Sequence, residues 1–171
     1  MSTPENSKPG AGTPDSVDLD SFAEDLQRRV NEKTRETYGQ ALYERWRNPP
    51  HIGELASANA KGEVTGDCGD TMRLFLRIEH EKVQEAGFLT DGCGSSIICG
   101  STAAEMALGK SCEDITAITG QVILDALSAQ TVSGGLPEED QHCAWLAANA
   151  LHEAVGHHYK QTLQRHPEEG S

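Results

Sequence analysis

The feature that most limits how this chain can fold is a two-residue alternation. Met72, Leu74, Leu76 and Ile78 recur at every second position, the period of a strand that buries one face. His80-Glu81 then separates Met72 to Glu79 from a second extended run, Lys82 to Leu89. Two extended runs joined by two residues predict a hairpin. Gly62 to Thr65 reads as a third short strand, so the expected core is a small three-stranded antiparallel sheet.

Helical spacing flanks that sheet on both sides. Leu19, Phe22, Leu26 and Val30 fall at helical spacing, and Tyr38, Leu42 and Trp46 continue at every fourth residue until Asn48-Pro49-Pro50 stops the pattern, which gives one or two helices. After Gly92-Cys93-Gly94, Ser95 or Ser96 is placed to cap a helix that carries Ile97, Ile98, Ala104 and Leu108 and ends at Gly109. Asp114 to Leu127 reads as one further helical stretch. The last helix is expected to begin around Pro137 beside Glu138, Glu139 and Asp140, which favour the positive end of the helix dipole, and to run to about Leu163. The fold class is therefore α/β in the broad sense and α+β in the narrow one, with helices packed on the sheet.

Domain organisation follows from where apolar residues stop. Residues 1–17 are rich in Pro, Ser, Gly, Thr and Asp and read as a disordered acidic arm, with 164–171 as a disordered tail and 18–163 as the domain. Across the 171 residues 27 acidic side chains oppose 14 basic ones, a formal charge of −13. No basic stripe tracks phosphates, which argues against a nucleic-acid partner. No segment approaches the roughly 18 consecutive apolar residues of a membrane helix, and the polar start lacks the apolar core of a signal peptide. The expected compartment is the cytoplasm, where an odd set of five cysteines points to metal or sulfur chemistry rather than a disulfide framework.

Three of the cysteines occupy special local positions. Cys68 lies in Gly66-Asp67-Cys68-Gly69-Asp70, Cys93 between two glycines, and Cys143 after His142 near a helix start. Glycines let backbone approach a bulky inorganic group, and a helix N-terminus favours the thiolate, so Cys93 and Cys143 are expected to have lowered pKa values. Soft thiolates select iron-sulfur clusters, zinc or cuprous copper. A 2Fe-2S cluster wants four ligands, which leaves one position for Asp70 or His142. Neighbouring helical side chains diverge by about 100°, so His142 and Cys143 on one iron would require a distorted first turn. Asp70, two residues from Cys68, offers a harder and weaker donor, suited to a cluster that must leave.

These same segments carry a family resemblance. Glu63-Val64-Thr65-Gly66-Asp67-Cys68-Gly69-Asp70-Thr71-Met72, Thr90-Asp91-Gly92-Cys93-Gly94-Ser95 and His142-Cys143-Ala144, with Gly109-Lys110-Ser111 between them, resemble the ligand motifs of IscU/NifU-type iron-sulfur cluster assembly scaffolds. The likeness runs from about residue 38, through Trp46-Arg47-Asn48-Pro49, to about 159. It implies an IscU-like fold and a carrier rather than an enzyme. It further implies that Cys68, Asp70, Cys93 and Cys143 hold a nascent 2Fe-2S cluster, with His142 an alternative metal ligand and Cys143 the persulfide acceptor. Implied partners are a cysteine desulfurase of the IscS/NifS kind and apo iron-sulfur acceptor proteins. Whether two subunits form a homodimer around one cluster stays open.

Two departures and a rival reading accompany the resemblance. Where the family's chaperone-recognition segment carries a lysine, this chain has Asp140, so recognition by a DnaK-type chaperone is not carried over. The helix before Tyr38 exceeds the usual family start. The rival is a zinc-bound, SufU-like sulfur-transfer protein; such chains resemble this one but carry an insertion before the last cysteine and lack the histidine that stands here as His142. Cys99 and Cys112 read as buried small hydrophobes. His152 and His157 only imitate a zinc-protease motif, because five residues of spacing set them about 140° apart on a helix.

Overall fold

In the computed structural model, which describes residues 18–165, the alternating segment is the middle of a sheet. β1 (Ala60–Thr65), β2 (Thr71–Glu79) and β3 (Lys82–Thr90) pair antiparallel in the order β1-β2-β3. Met72, Leu74, Leu76 and Ile78 are all buried. The hairpin between β2 and β3 turns at His80 and Glu81, both in the left-handed region (φ 51° and 60°), the conformation a two-residue type I′ turn needs. A register shift between Arg77 and Ile78 precedes it.

One face of this sheet is covered by helices α2 (Gly94–Ala107) and α5 (His142–Arg165). Ala144, Ala147, Ala150, Leu151 and Ala154 of α5 are buried, and small residues there let β1 come close. At Gly62 a Cβ would overlap the Ala150 carbonyl oxygen and the Ala154 backbone nitrogen. Only glycine fits without moving helix or strand, and overpacking of this kind costs about 1–3 kcal/mol or more.

Two helix boundaries differ from the sequence expectation. The stretch expected as one helix is two, α3 (Cys112–Thr116) and α4 (Gly120–Ser128). Ser111 and Asp114 close a capping box on α3, and Thr119 caps α4 by accepting from the Val122 N–H, so a second N-cap overrides the continuous apolar pattern. Before α5, Glu138–Asp140 is a short 3-10 turn and the helix proper begins at His142. Gly109, in the left-handed region (φ 72°), follows α2 as expected.

The described residues fall into two units, one ending at Lys33 and one beginning at Thr34. Helix α1 (Leu19–Arg47) carries a break in helical geometry at Gly39 (φ 76°, ψ 167°). In the second unit, Leu42 is fully buried while Tyr38 and Trp46 pack against the core. Arg45 ties this part of α1 to α2, donating to Ser101 Oγ at 3.0 Å and to Glu105 Oε2 at 2.6 Å. In the first unit, Leu19, Phe22, Leu26 and Val30 are exposed, and Asp25 pairs with Arg28 and Arg29. The expected arm, residues 1–17, lies outside the described residues, as does the expected tail beyond Arg165.

Candidate metal centre

The β1–β2 connection, the start of α2 and the start of α5 converge at one end of the sheet. The Gly66–Asp70 loop is closed by two backbone bonds, Gly66 N–H to Asp70 O and Gly69 N–H to Gly66 O, each 2.9 Å. Cys93 is the N-cap of α2. The ligand atoms of Asp70, Cys93 and Cys143 lie within 4.8 Å of one another. Among the described residues this is the one group of three or more metal-ligating side chains that gathers so closely.

Bonds around the trio fix Asp70. Ser96 Oγ lies 2.9 Å from Asp70 Oδ2 and 3.4 Å from Cys143 Sγ, and its single proton can go to either. Ser95 and Ser96 are fully buried and neither caps α2; the expected cap is a correction, because both hydroxyls are spent on side chains instead. A Cβ on Gly92 would collide with Asp70 Oδ2 and Ser96 Oγ, so glycine beside Cys93 makes room for the carboxylate.

His142 Nδ1 lies 2.8 Å from the Glu139 carbonyl oxygen, to which its N–H donates. Its Nε2 is 3.6 Å from Cys143 Sγ. The two neighbouring side chains therefore lie side by side at the start of α5. His142 does not join the set of three.

The expected thiolate character of Cys143 is overturned. Burial pushes its thiol up to about 12, opposed by the Ser96 hydrogen bond and reinforced by Cys93 and Asp140. Desolvation and an acidic neighbourhood outweigh the helix terminus. Cys99, also fully buried, is raised for the same leading reason. Cys112 is buried as well.

Cys68 stands apart. It is exposed and lines an open cleft of about 550 Å³ with Val64, His142, Trp145 and Leu146. The Trp145 ring lies against Gly120 and remains half-exposed, a residue the sequence reading did not single out.

Tyr38 acquires a specific role. Its hydroxyl donates to Asp140 Oδ2 at 2.8 Å and sits 3.1 Å from Ser95 Oγ. It thereby links α1 to the first turn of α2 after Cys93 and to the 3-10 turn before Cys143. Burial raises the phenol to about 12, with Ser95 lowering and Asp140 raising it. Trp46 packs against Gly94 on the same side.

An α+β fold that gathers two thiols and a carboxylate at one end of its sheet has a donor set that could hold a metal ion. Comparisons with known proteins narrow the class. Residues 37–165 match the model for the NifU-like N-terminal domain. The chain is 32% identical over 124 residues to the iron-sulfur cluster assembly scaffold protein IscU 1 of Archaeoglobus fulgidus, covering 72% of this chain and 77% of that one. It is 34% identical over 130 residues to the nitrogen fixation protein NifU of Azotobacter chroococcum, covering 74% and 40%. A nitrogen-fixing NifU-like protein (N-terminal) from Brucella abortus shares the fold, with a TM-score of 0.56 at 18% identity over 75% of this chain and 98% of that one. This chain belongs to the NifU N-terminal domain family of IscU-type iron-sulfur cluster assembly scaffolds, a class of carriers rather than enzymes. Among the described residues no helix is long and apolar enough to cross a membrane.

Proposed function

We propose that this chain builds a 2Fe-2S cluster on Cys68, Asp70, Cys93 and Cys143 and passes it to apo-protein acceptors. The observation that carries the reading is the gathering of Asp70, Cys93 and Cys143 donor atoms within 4.8 Å. A cluster of this size needs four protein donors. The exposed Cys68 supplies the fourth once the Gly66–Asp70 loop closes over the cargo, and His142 is the alternative, its Nε2 already beside Cys143. Asp70, the one hard donor in the set, is the ligand that lets go first.

Sulfur arrives as a persulfide from a cysteine desulfurase. The Cys143 thiolate attacks the outer sulfur of the donor persulfide, forming Cys143–S–S⁻ and releasing the desulfurase cysteine as thiolate. Cys143 is buried and burial raises its thiol, so the attack needs the donor sulfur to reach it and the thiol to give up its proton. The charge at Asp140 does not support recognition by a DnaK-type chaperone. Five free cysteines support action in a reducing compartment such as the cytoplasm.

A zinc-bound sulfur relay is the second reading, favoured by one observation: donor atoms this close suit a single tetrahedral ion. Anaerobic reconstitution with ferrous iron, cysteine and a desulfurase separates the two. Near-equal iron and sulfide, with charge-transfer bands that vanish on transfer to an apo-ferredoxin, is the expected result. Tightly held zinc with persulfide and no cluster would replace the scaffold with the relay.

A further inference from the structure

The helix through Lys33 lies before the span matched by the family, and the proposed cluster chemistry makes no use of it. Its apolar residues are presented to solvent: Leu19 is 76% exposed, Phe22 59% and Leu26 52%, with Val30 continuing the stripe. Burying such side chains is worth about 1.5–3 kcal/mol each, and a single helix of this length is marginal in water without a packed face.

Charge decides what covers the stripe. Asp18, Asp20, Glu24 and Asp25 occupy the first half of the segment; Arg28, Arg29 and Lys33, against Glu32 alone, occupy the second. At about 100° per residue, Asp18, Asp25 and Arg29 border one edge of the stripe and Lys33 falls just inside that edge, while Ala23 and Gln27 border the other. The charged edge is therefore acidic at one end and basic at the other. When two such helices pack antiparallel, like edges face each other, and the acidic end of one meets the basic end of its mate. A parallel pair would set the charged edge against Ala23 and Gln27 and gain nothing. An anionic membrane surface is disfavoured because the segment holds five acidic groups to three basic.

We propose that residues 19–33 form an antiparallel helix pair with the same segment of a second copy of this chain, centred near Leu26. The contact is below the roughly 1,200 Å² of a standard stable interface, so the dimer is weak and forms at high local concentration. This pairing does not depend on the cluster reading, since it uses none of the residues of the metal centre.

Sedimentation equilibrium of the full-length chain, at loading concentrations from about 5 to 500 µM, reads the association directly. The expected result is a monomer–dimer equilibrium that Leu26→Glu and Leu26→Gln both shift to monomer while circular dichroism shows helicity retained. Asp25→Arg and Arg29→Asp should each weaken self-association at least several-fold, and an equimolar mixture of the two variants should recover the dimer, because two basic groups at positions 25 and 29 of one chain then face two acidic groups at those positions of the other. A parent chain that stays monomeric throughout, a dimer indifferent to Leu26→Gln, or variants that fail to recover on mixing would each overturn the proposal. Cluster reconstitution by the Leu26→Gln chain should match the parent, which separates failure of the pairing from failure of the scaffold reading.

Discussion

Cys143 and Cys68 are both candidate ligands, yet they sit in opposite surroundings. Cys143 is fully buried at the start of a long helix, 3.4 Å from a buried hydroxyl and 3.6 Å from an imidazole nitrogen. Cys68 is exposed on a five-residue loop at the mouth of a cleft. Cys143 belongs to the set of donors that the fold brings together, and Cys68 stands outside that set. Preorganised donors give affinity, whereas a donor on a loop gives some of that affinity back as ordering entropy. For a cargo that must be released, the asymmetry offers a way in and out.

The comparison breaks most directly on ligand deletion. Zinc is a convenient probe, read by competition with a chromophoric chelator. Cys143→Ser or Cys93→Ser should weaken binding by about 100-fold or more, because each removes a thiolate from the gathered set. Cys68→Ser should cost only about tenfold, since its gain is offset by ordering the loop. Equal losses for Cys68 and Cys143 would show that the loop is as fixed as the helix.

A smaller effect should sharpen the release side. Asp70 is held by Ser96 and offers oxygen where the others offer sulfur. Asp70→Ala should lengthen the life of a reconstituted cluster and slow its transfer to an apo-ferredoxin by roughly tenfold, the scale on which ligand environment tunes metal sites. Transfer at the parent rate would remove the labile-ligand role.

Burial of Cys143 also has a signature in the metal-free chain. Its thiol is raised to about 12 and Cys99 is raised with it. Above the ordinary thiol value of about 8.5 the unfolded chain gives up these protons while the folded chain keeps them, so the unfolded state binds fewer and stability falls as pH rises from there toward 12. Urea unfolding at about pH 8 and about pH 10 should show that loss. Cys143→Ala should shallow the slope.

Much of this architecture was legible because it is local. The alternation at Met72, Leu74, Leu76 and Ile78, the turn at His80-Glu81 and the stop at Gly109 are each decided within a few residues. The three cysteine segments were readable for the same reason, Cys68 and Cys93 beside glycines and Cys143 near a helix start. What escaped depends on partners distant in sequence or on competing local bonds. Thr119 capped a second helix inside an apolar run. Ser96 turned from backbone to Asp70, 26 residues away. The raised thiol of Cys143 follows from how deeply α5 is packed, which helix position alone does not reveal. The 3-10 turn from Glu138 to Asp140 sets the start of α5 at His142.

Tyr38 gives the smallest and most local test. Its hydroxyl bonds Asp140 across 102 residues and approaches Ser95, so it holds the two turns that carry Cys93 and Cys143 against one helix. Tyr38→Phe keeps the ring and removes only the bond, which is worth about 0.5–1.5 kcal/mol, or somewhat more if the carboxylate is charged. Global melting should therefore move by a few degrees at most. Amide exchange should quicken at Glu139 to Cys143 and at Ser95 and Ser96, and stay unchanged in the β2–β3 hairpin. That pattern would extend the gathered side of the centre back to α1, whereas uniform quickening would reduce Tyr38 to one more packing residue. Asp140→Asn, which keeps an acceptor and removes the charge, should reproduce little of the exchange change, because the tie depends on geometry more than on the carboxylate's charge.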